Sequence, residues 1–115
     1  MRKIYKKTRE IDLQKQIVEW LNLCGHYVWR TNAGGMLMRG SNGKTYMIRA
    51  GARGQADIQG VLLNGSFVAI EVKVGRNKPS PEQERFLEEI KRRGGVAFVA
   101  YSLDEVINKI NRELI

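Results

Sequence analysis

A chain of 115 residues is long enough for one hydrophobic core and too short for two, so a single domain over residues 1–115 is expected. With 43% hydrophobic and 28% charged residues, the composition is globular and excludes a disordered or fibrous chain. Twenty Lys and Arg against twelve Asp and Glu leave a formal charge of +8; this favours a polyanionic partner such as nucleic acid, because each cation placed on a phosphate releases condensed counterions, although charge alone does not separate that partner from a merely basic surface.

A basic arm, residues 1–7 with Arg2, Lys3, Lys6 and Lys7, precedes the first regular pattern. From Thr8 to Cys24 the residues Leu13, Ile17, Trp20, Leu21 and Cys24 recur at three- and four-residue steps, the period of an amphipathic helix. Thr8 is its expected N-cap and Gly25 its stop. Cys24 then reads as a small buried hydrophobe, Trp20 as core, and His26, just past the stop, as a surface residue. The aromatic and β-branched run Tyr27 to Thr31 predicts a strand. Between Gly34 and Gly54 six glycines alternate with Arg39, Lys44, Arg49 and Arg53 around a short strand at Thr45 to Ile48, which predicts an irregular, mobile, cationic insert.

Ala56 to Leu63 and Ser66 to Val74 read as the two strands of an antiparallel hairpin joined at Asn64-Gly65, a pair that favours a type I′ turn. Beyond Lys78-Pro79-Ser80-Pro81 a second helix runs from Glu82 to Arg93, with Phe86, Leu87 and Ile90 on one face and Gly94-Gly95 as its stop. Val96 to Tyr101 is a short apolar strand, and Leu103 to Leu114, behind a Ser102 cap, places Val106, Ile107 and Ile110 at helical spacing. The amino terminus is followed by no apolar run long enough for a signal peptide or membrane span, and one cysteine makes no internal disulfide. A soluble protein of the reducing cytoplasm is expected.

The chemistry concentrates in the hairpin. Strand side chains alternate, so Val68, Ile70 and Val72 share one face while Ala69, Glu71 and Lys73 share the other. Asp57, at the head of the adjoining strand, sits beside Glu71. Two adjacent carboxylates repel and raise each other's pKa unless a cation neutralises them; oxygen-only ligands select a hard ion, Mg²⁺ or Mn²⁺ in its place. An Asp followed by Glu-x-Lys is common on solvated edge strands, where it means only a salt-bridged surface. Here the strand Phe67-Val-Ala-Ile-Glu-Val-Lys-Val is otherwise apolar, hence central, where charges need a reason. No Ser/His/Asp or Cys/His set offers covalent catalysis.

Gly54-Gln-Ala-Asp57-Ile, Ala69-Ile-Glu71-Val-Lys73 and Pro79-Ser-Pro-Glu-Gln83-Glu-Arg-Phe together resemble the PD-(D/E)XK nuclease superfamily, and most closely its virus-type replication-repair nuclease (VRR-NUC) branch. Trp29-Arg-Thr-Asn-Ala-Gly-Gly and Gly94-Gly-Val-Ala-Phe-Val-Ala resemble that branch too, so the likeness spans residues 8 to 110. Ala56 stands where many superfamily members have proline, which alters turn stiffness rather than metal chemistry. The resemblance implies an α/β restriction-endonuclease-like core, a central mixed β-sheet flanked by helices. It implies Asp57 and Glu71 as metal ligands with the Val72 carbonyl as a further oxygen, and Lys73 as the group that orients or deprotonates the attacking water. A third carboxylate from the first helix is assigned to Glu10, near the buried stripe of Leu13 and Ile17, with Gln14 one turn on as its competitor and a dipole-complementing acid as the plain alternative. Gln83 corresponds to the glutamine of the last motif, or else to a solvated helix face.

Arg30, Arg39, Arg49 and Arg53, with the basic arm, are candidates for phosphate contacts that position DNA without reading sequence. Trp29 suits either a core or a stack on an exposed base. The expected activity is Mg²⁺-dependent, structure-selective DNA cleavage. Stand-alone members of this size resemble Holliday-junction resolvases, which implies a homodimer, a four-way junction substrate and a phage or mobile-element replication and repair setting. The alternatives are a general nicking or restriction-type nuclease and a non-catalytic DNA-binding module that keeps the fold.

Overall fold

The computed structural model describes residues 2–31, 36–48 and 52–114, and of residues 2–8, 36–37 and 47–48 the backbone alone. Helix α1 (Arg2–Leu23) is followed by strands β1 (Tyr27–Arg30), β2 (Met36–Arg39), β3 (Thr45–Ile48), β4 (Ile58–Val61) and β5 (Phe67–Val72), helix α2 (Pro81–Arg92), strand β6 (Val96–Ala100) and helix α3 (Leu103–Glu113). None of the helices described is long and apolar enough to cross a membrane.

α1 begins before the expected Thr8 cap and takes in the basic arm. Nothing between Arg2 and Thr8 breaks a helix, and Arg and Lys are good helix formers, so Thr8 is carried inside it. The helix ends as the sequence predicts: the His26 amide donates to the Leu21 carbonyl and the Gly25 amide to that of Asn22, a Schellman pair with Gly25 at φ 97°. Ile17 and Leu21 are buried, and Leu13, Val18 and Trp20 pack half-buried against the same cluster. Two readings at this end are corrected. Cys24 is exposed, because the core-facing stripe ends at Leu21. His26 is buried, its Nδ1 accepting from the Leu63 amide at 3.0 Å, and burial lowers its pKa from the ordinary value.

The main sheet is mixed, in the order β1-β4-β5-β6: β1, β4 and β5 run antiparallel in turn, and β6 joins β5 in parallel through the α2 crossover. β5 is internal, with every residue from Val68 to Val72 buried. Val68, Ile70 and Val72 belong to a cluster that spans all four strands and packs on α1 and α3. Ala69, on the opposite face, packs with Ala56, Ala97 and Leu87 of α2. The alternation read from the sequence is thus the layering of the molecule, an α/β arrangement of three helices around a mixed sheet.

The insert is a hairpin rather than an irregular loop. β2 pairs antiparallel with β3 as a separate two-stranded sheet, Arg39 opposite Thr45. The Gly40 amide closes the hairpin on the Lys44 carbonyl at 2.8 Å. β2 was hidden because Met36-Leu-Met-Arg39 lacks β-branched residues. The β4–β5 turn is also not type I′, since Asn64 does not adopt positive φ. The Leu62 carbonyl instead accepts from Gly65, at φ 87°, and the Leu62 amide donates to Ser66, a three-residue loop closed by a glycine in the left-handed region.

Ile70 is fully buried at the centre of the larger cluster. Ile70→Ala is expected to lower stability by about 2–5 kcal/mol, the usual range for such truncations. Urea unfolding checks this, with the midpoint shifted and the slope unchanged.

Candidate active site

Several chain ends meet at one edge of the main sheet. β1 and β5 finish there, β4 starts there, and α2 begins just after β5. Because β5 and β6 are parallel, this edge lies at their carboxyl ends, where α/β sheets place their ligand crevices. The β1–β4 pairing extends one residue beyond the strands: the Thr31 amide donates to the Asp57 carbonyl at 2.8 Å, and its hydroxyl donates to the Ala56 carbonyl. Asp57 is thereby fixed at the head of β4.

The Asp57 side chain turns toward β5, and its Oδ2 accepts from the Val72 amide at 2.8 Å. Glu71, next to Val72, is only 1% exposed. Its carboxyl is hydrogen-bonded to Asp57, while Oε2 is buried without any partner. Burial and then Asp57, through the hydrogen bond and its charge, push the Glu71 pKa up to about 9; Lys73 opposes this and Glu10 adds to it. Glu71 therefore holds a proton at neutral pH beside Asp57, and a cation can take that proton's place. Lys73, half-buried, follows Glu71 on the same face and is fixed by its amide, which donates to Ala100 on β6 at 3.1 Å.

Glu10 stands further out. Its Oε1 accepts from the Asn77 side chain at 3.3 Å, and Asn77 in turn accepts from the Tyr101 hydroxyl through its carbonyl at 2.7 Å. Glu10 thus acts on Glu71 through its charge, and among the described residues no three His, Cys, Asp or Glu side chains form a cluster that would hold a metal ion. Gln14 is buried and accepts from Arg30 Nε at 3.0 Å. This ties Arg30 to α1. Asp57 and Glu71 are the pair with the chemistry to hold a hard cation, and the Val72 backbone lies between them.

Gln83 closes a capping box: its amide donates to Ser80 Oγ, and its Oε1 accepts from the Ser80 amide at 2.8 Å. The side-chain oxygen is therefore engaged in the helix cap. Gly54 lies against this first turn so closely that a Cβ would come within 2.4 Å of the Glu82 carbonyl oxygen. Arg39 and Arg53 are exposed, Arg53 lying 3.5 Å from Glu82. Arg49 and the side chains of Arg2, Lys3, Lys6 and Lys7 lie outside the described residues. Thr31 and Asn77 were not anticipated. Thr31 lies within a quoted motif, whereas a lone loop asparagine carries no signal of its own.

The proton held by Glu71 sets a pH dependence. With its pKa raised from the ordinary 4.5 to about 9 in the folded chain, Glu71 binds a proton that the unfolded chain has released between those values. Its contribution to stability is then complete below the unfolded value and lost as pH rises through the folded one. In chelator, Glu71→Gln should gain stability relative to the unmodified chain steadily from pH 5 to 9, by thermal melting. Parallel pH curves for the two proteins would contradict the assignment.

Compared with known protein families, curated proteins and solved structures, the chain matches none of them.

Proposed function

We propose that this chain is a divalent-metal-dependent nuclease of the PD-(D/E)XK kind, close to the VRR-NUC branch, that hydrolyses phosphodiester bonds in DNA. The observation that carries the reading is the Glu71 carboxyl, buried in a central strand with one oxygen unpartnered and a second carboxylate, Asp57, bonded to it. A structural role does not account for this arrangement, since a buried carboxyl is costly unless paired. It fits a hard cation, Mg²⁺ or Mn²⁺, held by Asp57 and Glu71 with the Val72 carbonyl beside them.

When bound, such an ion supplies Lewis-acid polarisation of the phosphoryl group and a lowered pKa for water. The chain's own residues do the rest. The Val72 amide and Thr31 hold Asp57 in place before any ligand arrives, so little reorganisation is needed. Lys73, on the same face, offsets negative charge developing on the phosphate or accepts the proton of the attacking water. Exposed Arg39 and Arg53 are the candidates for phosphate contacts, consistent with the +8 charge. The VRR-NUC resemblance extends the proposal to a four-way junction cut by a homodimer, because two symmetric incisions need two sites. A non-catalytic module has no use for a buried carboxyl pair.

The test is a panel of labelled hairpin, flap, duplex and four-way junction DNAs, incubated with and without Mg²⁺. Cleavage is expected to require the metal. Glu71→Gln should abolish it while DNA binding persists, and Lys73→Ala should slow it by about 10²–10³ at saturating metal. Cleavage by Glu71→Gln at the unmodified rate, or in chelator, removes these residues from the mechanism.

A further inference from the structure

The two faces of the main sheet are covered unequally. On one, the cluster under α1 and α3 spans all four strands, from Val28 on β1 to Phe98 on β6. On the other, α2 covers only β5 and β6, where Leu87 packs with Ala69 and Ala97. The half that no described helix covers carries Tyr27 and Trp29 of β1, Val61 of β4 and Phe67 at the start of β5, which are 73%, 43%, 39% and 36% exposed. The register sets Tyr27 opposite Val61, and Val61 opposite Phe67. The Tyr27 and Trp29 rings meet edge to face, 5.6 Å between centroids and 64° between planes.

This platform is continuous with the candidate active site. Trp29 is opposite Gln59, and the next residues along the same face of β1 and β4 are Thr31 and Asp57, joined by the Thr31 amide bond to the Asp57 carbonyl. One strand period, about 7 Å, therefore separates the Trp29 row from the carboxylate pair. A single nucleotide bridges that span. The chain's net charge of +8 points to a polyanionic occupant, and a DNA strand brings the opposite sign to this face. Aromatic rings beside a phosphate-binding centre offer a base the stacking surface that it loses on leaving a duplex.

Resting on the nuclease reading for the position of the cut, we infer that Tyr27 and Trp29 form a stacking subsite for an unpaired DNA base adjacent to the bond cleaved. A base within continuous duplex has both faces covered by its neighbours and must first be unstacked, which costs free energy. The subsite therefore selects DNA with an unpaired nucleotide at the cut, as at a fork, flap or branch point. It does so by shape and stacking, without reading base identity.

The experiment measures binding of the full chain, in chelator, to three labelled DNAs: a fork, the same fork with an abasic residue at the branch nucleotide, and a continuous duplex. Trp29→Ala should raise Kd for the fork between about fivefold and about 150-fold, the range of one base–aromatic stack. Trp29→Phe should restore most of the loss, and duplex affinity should stay nearly constant for all three proteins. The abasic fork should bind the unmodified chain as weakly as Trp29→Ala binds the intact fork, with no further loss in the variant. Melting curves check that each variant is folded, as substitution at an exposed ring should allow. Equal fork affinity for all three folded proteins overturns the subsite, as does a dimer in sedimentation that Trp29→Ala dissociates. Adding Mg²⁺ separates the two readings: base-dependent binding without cleavage keeps the subsite and removes the nuclease, whereas cleavage indifferent to Trp29 removes the subsite alone.

Discussion

The Val72 amide donates to the carboxylate of Asp57 rather than to a carbonyl of β4, and this one hydrogen bond governs the geometry of the whole sheet edge. The regular β4–β5 pairing stops at Ile58 opposite Ile70, while β5 continues to Val72. An acidic side chain thus takes over as acceptor where the partner strand has run out. Asp57 must then lie beside Glu71, the neighbour of the residue it accepts from, and β5 must be internal for Glu71 to be buried. The juxtaposition of the two carboxyls and the raised pKa of Glu71 both follow from that substitution of side chain for main chain.

Much of this was legible because strand alternation is strict. Once Phe67 to Val74 is read as an internal strand, Glu71 and Lys73 must share a face with Ala69, and the two apolar clusters divide along that line. α2 and α3 were equally readable, since Ser80 and Ser102 are caps with local partners at Gln83 and Glu105. What escaped depends on tertiary partners or on weak local preference. His26 is buried by the Leu63 amide, a contact across the fold that no pattern around His26 announces. The start of α1 escaped because a threonine within a run of helix formers signals a cap no more strongly than it signals helix. The partner of Glu10 is Asn77, in the loop between β5 and α2, a contact that no local pattern announces.

The periphery of the site is knit together by polar contacts from every layer. Gln14 on α1 holds Arg30 at the end of β1, Glu10 holds the β5–α2 loop, and Tyr101 after β6 holds the same loop through the Asn77 carbonyl. Each contact is modest alone, of the order of 1 kcal/mol. Together they join α1, β1, the β5–α2 loop and the end of β6 around the two carboxyls. The cationic residues are arranged differently: Arg39 and Arg53 stand exposed, Arg53 beside Glu82.

The packing of Gly54 against the first turn of α2 gives this edge a mechanical property. Gly54 touches the backbone of Glu82 and Gln83, the turn that Ser80 and Gln83 lock by reciprocal hydrogen bonds, and only two residues separate it from Asp57. Glycine's missing side chain leaves no compressible layer between the two backbones. Displacement of Asp57 is therefore transmitted to the helix instead of being absorbed in a loop, and the capped turn serves as a rigid stop behind the carboxylate. The stiffness of one end of α2 thus becomes a determinant of how narrowly the position of the Asp57 carboxylate is defined.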